Sequence, residues 1–135
     1  MQDFRKLKVW EKAHTLALSI YRVTESFPKS EVFGLTSQMR RSAASVPSNI
    51  AEGCGRNTNG DLLRTLDIAM GSARELEYQL LLSRELDFLS EEQHSQLAAD
   101  VAEVDALRSH HEAAFTVTES GRFPLRTTNY KLPTT

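Results

Sequence analysis

One cysteine, Cys54, stands in 135 residues, so no internal disulfide can staple this chain. That scarcity fits a reducing compartment. No apolar run approaches the ~20 residues needed to cross a bilayer, which excludes a helical membrane span. The first residues, with Asp3, Arg5, Lys6 and Lys8, contain no apolar signal segment, so the expectation is a cytoplasmic protein. Strand-type alternation of any length is also missing. What is present, 40% hydrophobic and 25% charged residues, is the make-up of one soluble globular domain large enough for a core.

The net charge of −2 hides an asymmetry. Residues 1–56 carry nine basic and five acidic side chains, residues 57–118 four and twelve, and residues 119–135 three and one. Either the basic half meets nucleic acid phosphate, or basic and acidic helices lie beside each other, within one protomer or between protomers.

Four helical segments follow. In the first, over 7–28, Trp10, Ala13, Ala17, Ile20 and Thr24 recur at helical spacing, and Pro28 ends it. Ser30 is the expected N-cap of the second, with Glu31 in its first turn. Leu35, Met39, Ala43, Val46, Ile50 and Cys54 form the apolar seam of that second helix. Pro47 falls in its middle and should cost ~3 kcal/mol. The seams keep phase across it, so one helix kinked at Pro47 is expected rather than two, with Ser42, Ser45 or Ser48 satisfying the freed backbone groups. Gly53-Cys54-Gly55 should end it with a left-handed glycine. Thr58 or Asn59 caps the third segment, which runs to about Leu86 along Leu62, Leu66, Ala69, Ala73, Leu76 and Leu80. Gly71-Ser72 at its centre is where another backbone should approach. Ser90 and Gln93 form a capping box for the fourth, followed by Leu97, Val101, Val104, Leu107 and His111. Two helices should be about 40 Å long at 1.5 Å per residue. Short links then give an all-α, antiparallel up-down-up-down four-helix bundle over 1–118, and the Gly-, Pro- and Thr-rich stretch 119–135 reads as a flexible tail.

Helix two has a second seam: Gln38, Ser42, Ser45, Asn49, Glu52 and Arg56. Lys and Glu, the usual occupants of a solvated helix face, are almost absent from it. Small hydroxyls and an amide in register imply close contact with another surface. That surface is either a neighbouring helix of the same chain or a second protomer. Glu52 needs a cation, with Arg41, Arg56 and Arg74 as candidates.

Chemistry finds little purchase. The Glu-x-x-His pairs Glu11/His14 and Glu91/His94 resemble half of a di-metal site, but they open antiparallel helices and so lie at opposite ends of the bundle. His110 and His111 point about 100° apart and cannot share one ion within the helix. Gly53-Cys54-Gly55-Arg56 lacks the strand and Lys-Ser/Thr of a phosphate loop. Cys54 reads as a structural thiol. No catalytic residue, metal ligand or cofactor follows from the spacings, and a polar cavity lined by Asn49, Glu52 and Glu75 is the feature that an enzyme or cofactor binder would need.

LKVWEKAHTLALSIY, GLTSQMRRSAASVPSNIAEG with Arg56, and DIAMGSARELEYQL together resemble the four-helix bundle proteins encoded in intervening sequences of bacterial 23S rRNA genes. More distantly the chain is similar to accessory proteins of diversity-generating retroelements. The resemblance covers about residues 4–115. It implies a bundle, a ring-shaped homopentamer, and an association with RNA or with a protein that handles nucleic acid. It implies no enzyme activity, and Arg40, Arg41, Ser45, Pro47, Asn49, Glu52, Gly53 and Arg56 carry over as structural or assembly residues. The retroelement relatives are strongly basic and this chain is not. Two expectations result. One is a non-enzymatic homo-oligomer with Gln38, Ser42, Ser45, Asn49, Glu52 and Arg56 at its contact surface. The other is an RNA-binding accessory protein using Arg5, Lys6, Lys8, Lys12, Arg40 and Arg41, with Arg56.

Overall fold

The computed structural model describes residues 3–114, without the side chains of residues 59 and 108–114. The expectations for the 119–135 tail and for the side chains of His110 and His111 fall outside the described residues. Helix α1 spans Lys8–Thr24, α2 Leu35–Cys54, α3 Asn59–Glu85 and α4 Glu91–Ala114; single 3₁₀ turns, Phe4–Lys6 and Lys29–Glu31, precede α1 and α2. Among the described residues there is no strand.

Each helix packs on its neighbours in sequence, and α1 closes on α4. Partners run in opposite order along α2–α3 and along α3–α4. Met39, Ser42, Ser45 and Gly53 of α2 meet Ser83, Glu75, Ser72 and Leu62 of α3 in turn. Arg74 and Arg84 of α3 reach Asp105 and Glu91 of α4. In both pairs the contacting residues thus run in opposite directions. The core is aliphatic. Leu16, Ile20, Met39, Ile50, Leu66, Leu76, Leu80 and Leu107 are all fully buried. Truncating any of these leucines to alanine removes burial and leaves a cavity, at a cost of ~2–5 kcal/mol.

Local details depart from expectation in several places. In α1 the core position is Val9, not Trp10, which is only half-buried. Trp10 instead stands edge-on to Phe4 (4.9 Å) and stacks on His14 (4.8 Å). Ser30 is not the cap of α2, because it sits inside the 3₁₀ turn. The helix begins five residues later, where Glu31 Oε1 accepts the Leu35 N–H at 3.0 Å. This makes α2 20 residues long, shorter than expected.

Pro47 lies within α2, and the helix is unbroken from Leu35 to Cys54. The nearby serines do not serve its freed backbone groups. Ser42 donates to Glu75 and Ser45 joins Ser72, while Ser48 is exposed. At the end of α2 no left-handed glycine is needed, because Gly55 has φ −89° and ordinary right-handed geometry.

The close backbone approach is also displaced. Among the described residues, a Cβ on Gly71 would meet nothing within 4 Å. Gly53 is the crossing point: a Cβ there would collide with Thr65 Oγ1 and lie 2.9 Å from Leu62 Cδ1. The caps of the later helices match the sequence. Thr58 accepts from Asp61 N–H at 3.1 Å, and Ser90 and Gln93 exchange bonds of 3.0 and 3.1 Å.

Candidate functional site

The polar seam of α2 divides by depth. Ser42 is buried and donates to Glu75, which also accepts from Gln79 Nε2 at 3.5 Å. Ser72 Oγ donates to Ser45 Oγ at 2.8 Å. Asn49 turns its amide back along its own helix, to the Ser45 carbonyl (2.8 Å) and hydroxyl (3.0 Å). The middle of the seam thus stitches α2 to α3 inside one chain. Its ends do not: Gln38 and Glu52 are exposed. Glu52 pairs with Arg56, not with Arg41 or Arg74. Arg74 belongs to Asp105 at 2.9 Å. Because Glu52 lies on the open surface, Asn49, Glu52 and Glu75 do not enclose a polar cavity.

The basic residues fall into two groups. Arg5, Lys6 and Lys8 are exposed at the start of α1; Arg5 lies 3.6 Å from Asp3 and over the Phe4 ring, and Lys8 lies 3.7 Å from Glu11. Arg41 is exposed near the other end of the bundle. Arg40 is turned inward. Its Nε donates to Thr24 Oγ1 at 2.9 Å, its Nη2 to the Tyr21 carbonyl at 3.1 Å, and its guanidinium lies over the Tyr21 ring. Lys12 is spent on Glu103 at 2.9 Å, whose hydrogen bond and charge raise the lysine pKa. Of the seven cations, Arg40 and Lys12 are therefore structural in this chain and Arg56 is held by Glu52.

Reactive chemistry is sparse. Cys54 is buried, and burial pushes its thiol up to about 12, with the Asp3 charge adding to the effect. Such a thiol is not a nucleophile at neutral pH. Asp100 is raised chiefly by burial against α1, opposed by a 3.2 Å bond donated by Gln96. Among the described residues no three His, Cys, Asp or Glu side chains come close enough to hold a metal ion, and no helix is long and apolar enough to cross a membrane. His14 is engaged in its stack on Trp10.

The feature that spacing did not bring forward is a groove between α1 and α2. Trp10, His14, Leu18 and Tyr21 form one wall; Ala44, Pro47, Ser48 and Ala51 form the floor. Its volume is about 400 Å³. These α1 residues do recur at four, four and three positions, one step round from the core seam. The signal was in the sequence, masked because Trp10 also fits the core register. Other large apolar side chains stand in solvent: Phe33 is 95% exposed, Tyr78 61% and Ile68 46%.

Known proteins place this geometry in a family. Residues 5–109 match the family described as 23S rRNA-intervening sequence protein. The fold is similar to the crystal structure of a protein of unknown function from the S23 ribosomal protein family of Bacteroides thetaiotaomicron. That similarity has a TM-score of 0.70 and 26% identity, and it covers 77% of this chain and 97% of the other. No curated protein matches the chain. Nothing in these likenesses points to catalysis. A four-helix bundle with this α2 motif, matched over all four helices, belongs to the 23S rRNA-intervening sequence protein family.

Proposed function

We propose that the chain is a non-enzymatic, self-associating bundle: a cytoplasmic ring of identical subunits, with five copies expected, that scaffolds or binds a partner. The open α1–α2 groove carries this reading. Among the described residues, an aromatic wall over an alanine- and proline-lined floor offers a second copy an apolar seat. Light scattering at micromolar concentration tests it. The expected result is a mass several times 15.2 kDa; a stable particle of 15.2 kDa overturns it.

A second reading, RNA binding, is favoured by Arg5, Lys6 and Lys8, three exposed cations within four residues. A ring would repeat that cluster and add avidity. Its contact set is narrower than the sequence implied, because Arg40 and Lys12 are already committed within the chain. Binding of structured RNA should weaken steeply as salt rises. No gel shift at low salt removes the reading.

A further inference from the structure

Where the end of α1 meets the start of α2, a pocket of about 400 Å³ opens, lined by Tyr21, Val32, Thr36, Ser37, Arg40 and Arg41. That size is ordinary for a small-ligand site. Four of these residues form one patch of α2. Thr36 and Arg40 lie one turn apart, as do Ser37 and Arg41, so two hydroxyls and two guanidinium groups share a face. All four side chains can donate hydrogen bonds, and none carries negative charge.

These donors are not used up within the chain. Thr36 is only 6% exposed, yet its hydroxyl has no hydrogen-bond partner among the described residues, and the residue lines the pocket. An unpaired polar group at that depth is costly. Arg40 is half-buried. Its bonds to Thr24 and to the Tyr21 carbonyl use Nε and Nη2, and Nη1 has no partner among the described residues. Those contacts hold the guanidinium still but bring it no negative charge. Arg41 is exposed, and neither arginine has a carboxylate within salt-bridge distance among the described residues. A fixed, half-buried cation of this kind favours an anion beside it. Of the acids close in sequence, Glu25 stands one turn beyond Tyr21 and Glu31 caps the Leu35 N–H at 3.0 Å; neither lines the pocket.

We propose that this pocket binds a phosphate monoester. Arg40 Nη1, the Arg41 guanidinium and the Thr36 and Ser37 hydroxyls donate to its oxygens. Tyr21 and Val32, 44% and 51% exposed, flank the organic half of the ester. A phosphate suits this set better than a carboxylate, because the donors come from four side chains and a phosphate presents more acceptor oxygens to share among them. The pocket stands apart from the Arg5–Lys6–Lys8 cluster at the start of α1, and it requires neither RNA binding there nor self-association. A nucleotide and the 5′ end of an RNA carry the same group, and the measurements below separate them.

Isothermal titration calorimetry of the full chain tests this, with adenosine monophosphate, with adenosine, and with a short RNA bearing or lacking a 5′-phosphate. Adenosine monophosphate should bind at millimolar concentration or below, and adenosine should not. Arg41→Gln, at an exposed position, should weaken binding about tenfold, and Thr36→Val, which keeps the side chain's shape, several-fold, both with helical circular dichroism unchanged. Lys6→Gln in the distant cluster should change nothing. Equal affinity for the nucleotide and the phosphorylated RNA identifies a free nucleotide as a sufficient ligand. Tighter binding of the RNA, lost with its 5′-phosphate, identifies an RNA end. Either result supports the pocket. Absence of heat with both phosphorylated ligands overturns it, as does adenosine binding as well as its phosphate, or affinity that both variants leave intact. RNA bound regardless of its 5′-phosphate, with no binding of the nucleotide, also overturns the pocket while leaving the Arg5–Lys6–Lys8 reading in place. Ser37→Ala, at an exposed position, takes over should Thr36→Val lose its helical signal.

Discussion

Gly53 sets how closely α2 and α3 can cross. A methyl group there would collide with Thr65 Oγ1, whose hydroxyl is held in place by donating to the Leu62 carbonyl at 2.7 Å. Gly53→Ala should therefore destabilise by ~1–3 kcal/mol, the range for overpacking a fixed neighbour. Urea denaturation reads the loss, and adding Thr65→Ala should return part of it because the two sites touch. Its neighbour Cys54 makes a second prediction. The thiol ionises at about 12 in the folded chain, against an ordinary value of 9.0. The unfolded chain loses its proton first, so the stabilisation is complete below pH 9 and drains away as pH rises towards 12. Thiolate absorbance at 240 nm should stay absent from the native protein at pH 10. Lys12, raised by Glu103, contributes alkaline loss of the same sign. Cys54→Ala should shrink the fall in urea midpoint between pH 8 and 10.5 without abolishing it.

The link from α3 to α4 turns on Asp87, the one non-glycine residue with positive φ (62°) among the described residues. Phe88 N–H reaches back to the Ser83 carbonyl at 2.8 Å and Asp87 N–H to that of Arg84 at 3.0 Å, the paired bonds of a Schellman cap. Phe88 then packs on Phe27 from the end of α1, at 5.5 Å. Aspartate pays a steric cost in this left-handed conformation that glycine does not. Asp87→Gly should stabilise by ~0.5–1 kcal/mol in chemical denaturation. Ser90→Ala three residues on should cost ~1 kcal/mol, because the Gln93 N–H loses its acceptor. These two ends differ in how plainly the sequence shows them. Thr58 and Ser90 are recognisable because a capping side chain acts over two or three residues and leaves a fixed spacing. The start of α2 is not, because Glu31 caps it from four residues upstream across a 3₁₀ turn. Asp87 is equally hidden, since a left-handed cap is normally announced by glycine.

Helical periodicity fixes which faces meet, and so the four-helix architecture and nearly the whole core could be read before any coordinates. Depth along a seam could not. Ser42 and Gln38 share one line on α2, yet one is buried against Glu75 and the other is exposed, a difference set by the neighbouring helix. The cations were no easier to sort, since composition cannot say that Arg40 folds back on Tyr21. Self-association of the kind proposed makes the thermal midpoint depend on concentration. Raising the protein a hundredfold should raise that midpoint by several degrees, whereas a midpoint independent of concentration argues for a lone subunit.

The order of packing has a kinetic counterpart. Every helix touches its successor, and among the four described helices only the α1–α4 seam, fastened by Lys12 and Glu103, joins two that are not consecutive. Folding can therefore proceed by zipping successive hairpins, with a single long loop to close at the end. Such low contact order belongs to chains that reach their native state in microseconds to milliseconds. Replacing Lys12 should then chiefly hasten unfolding and leave the refolding rate nearly untouched.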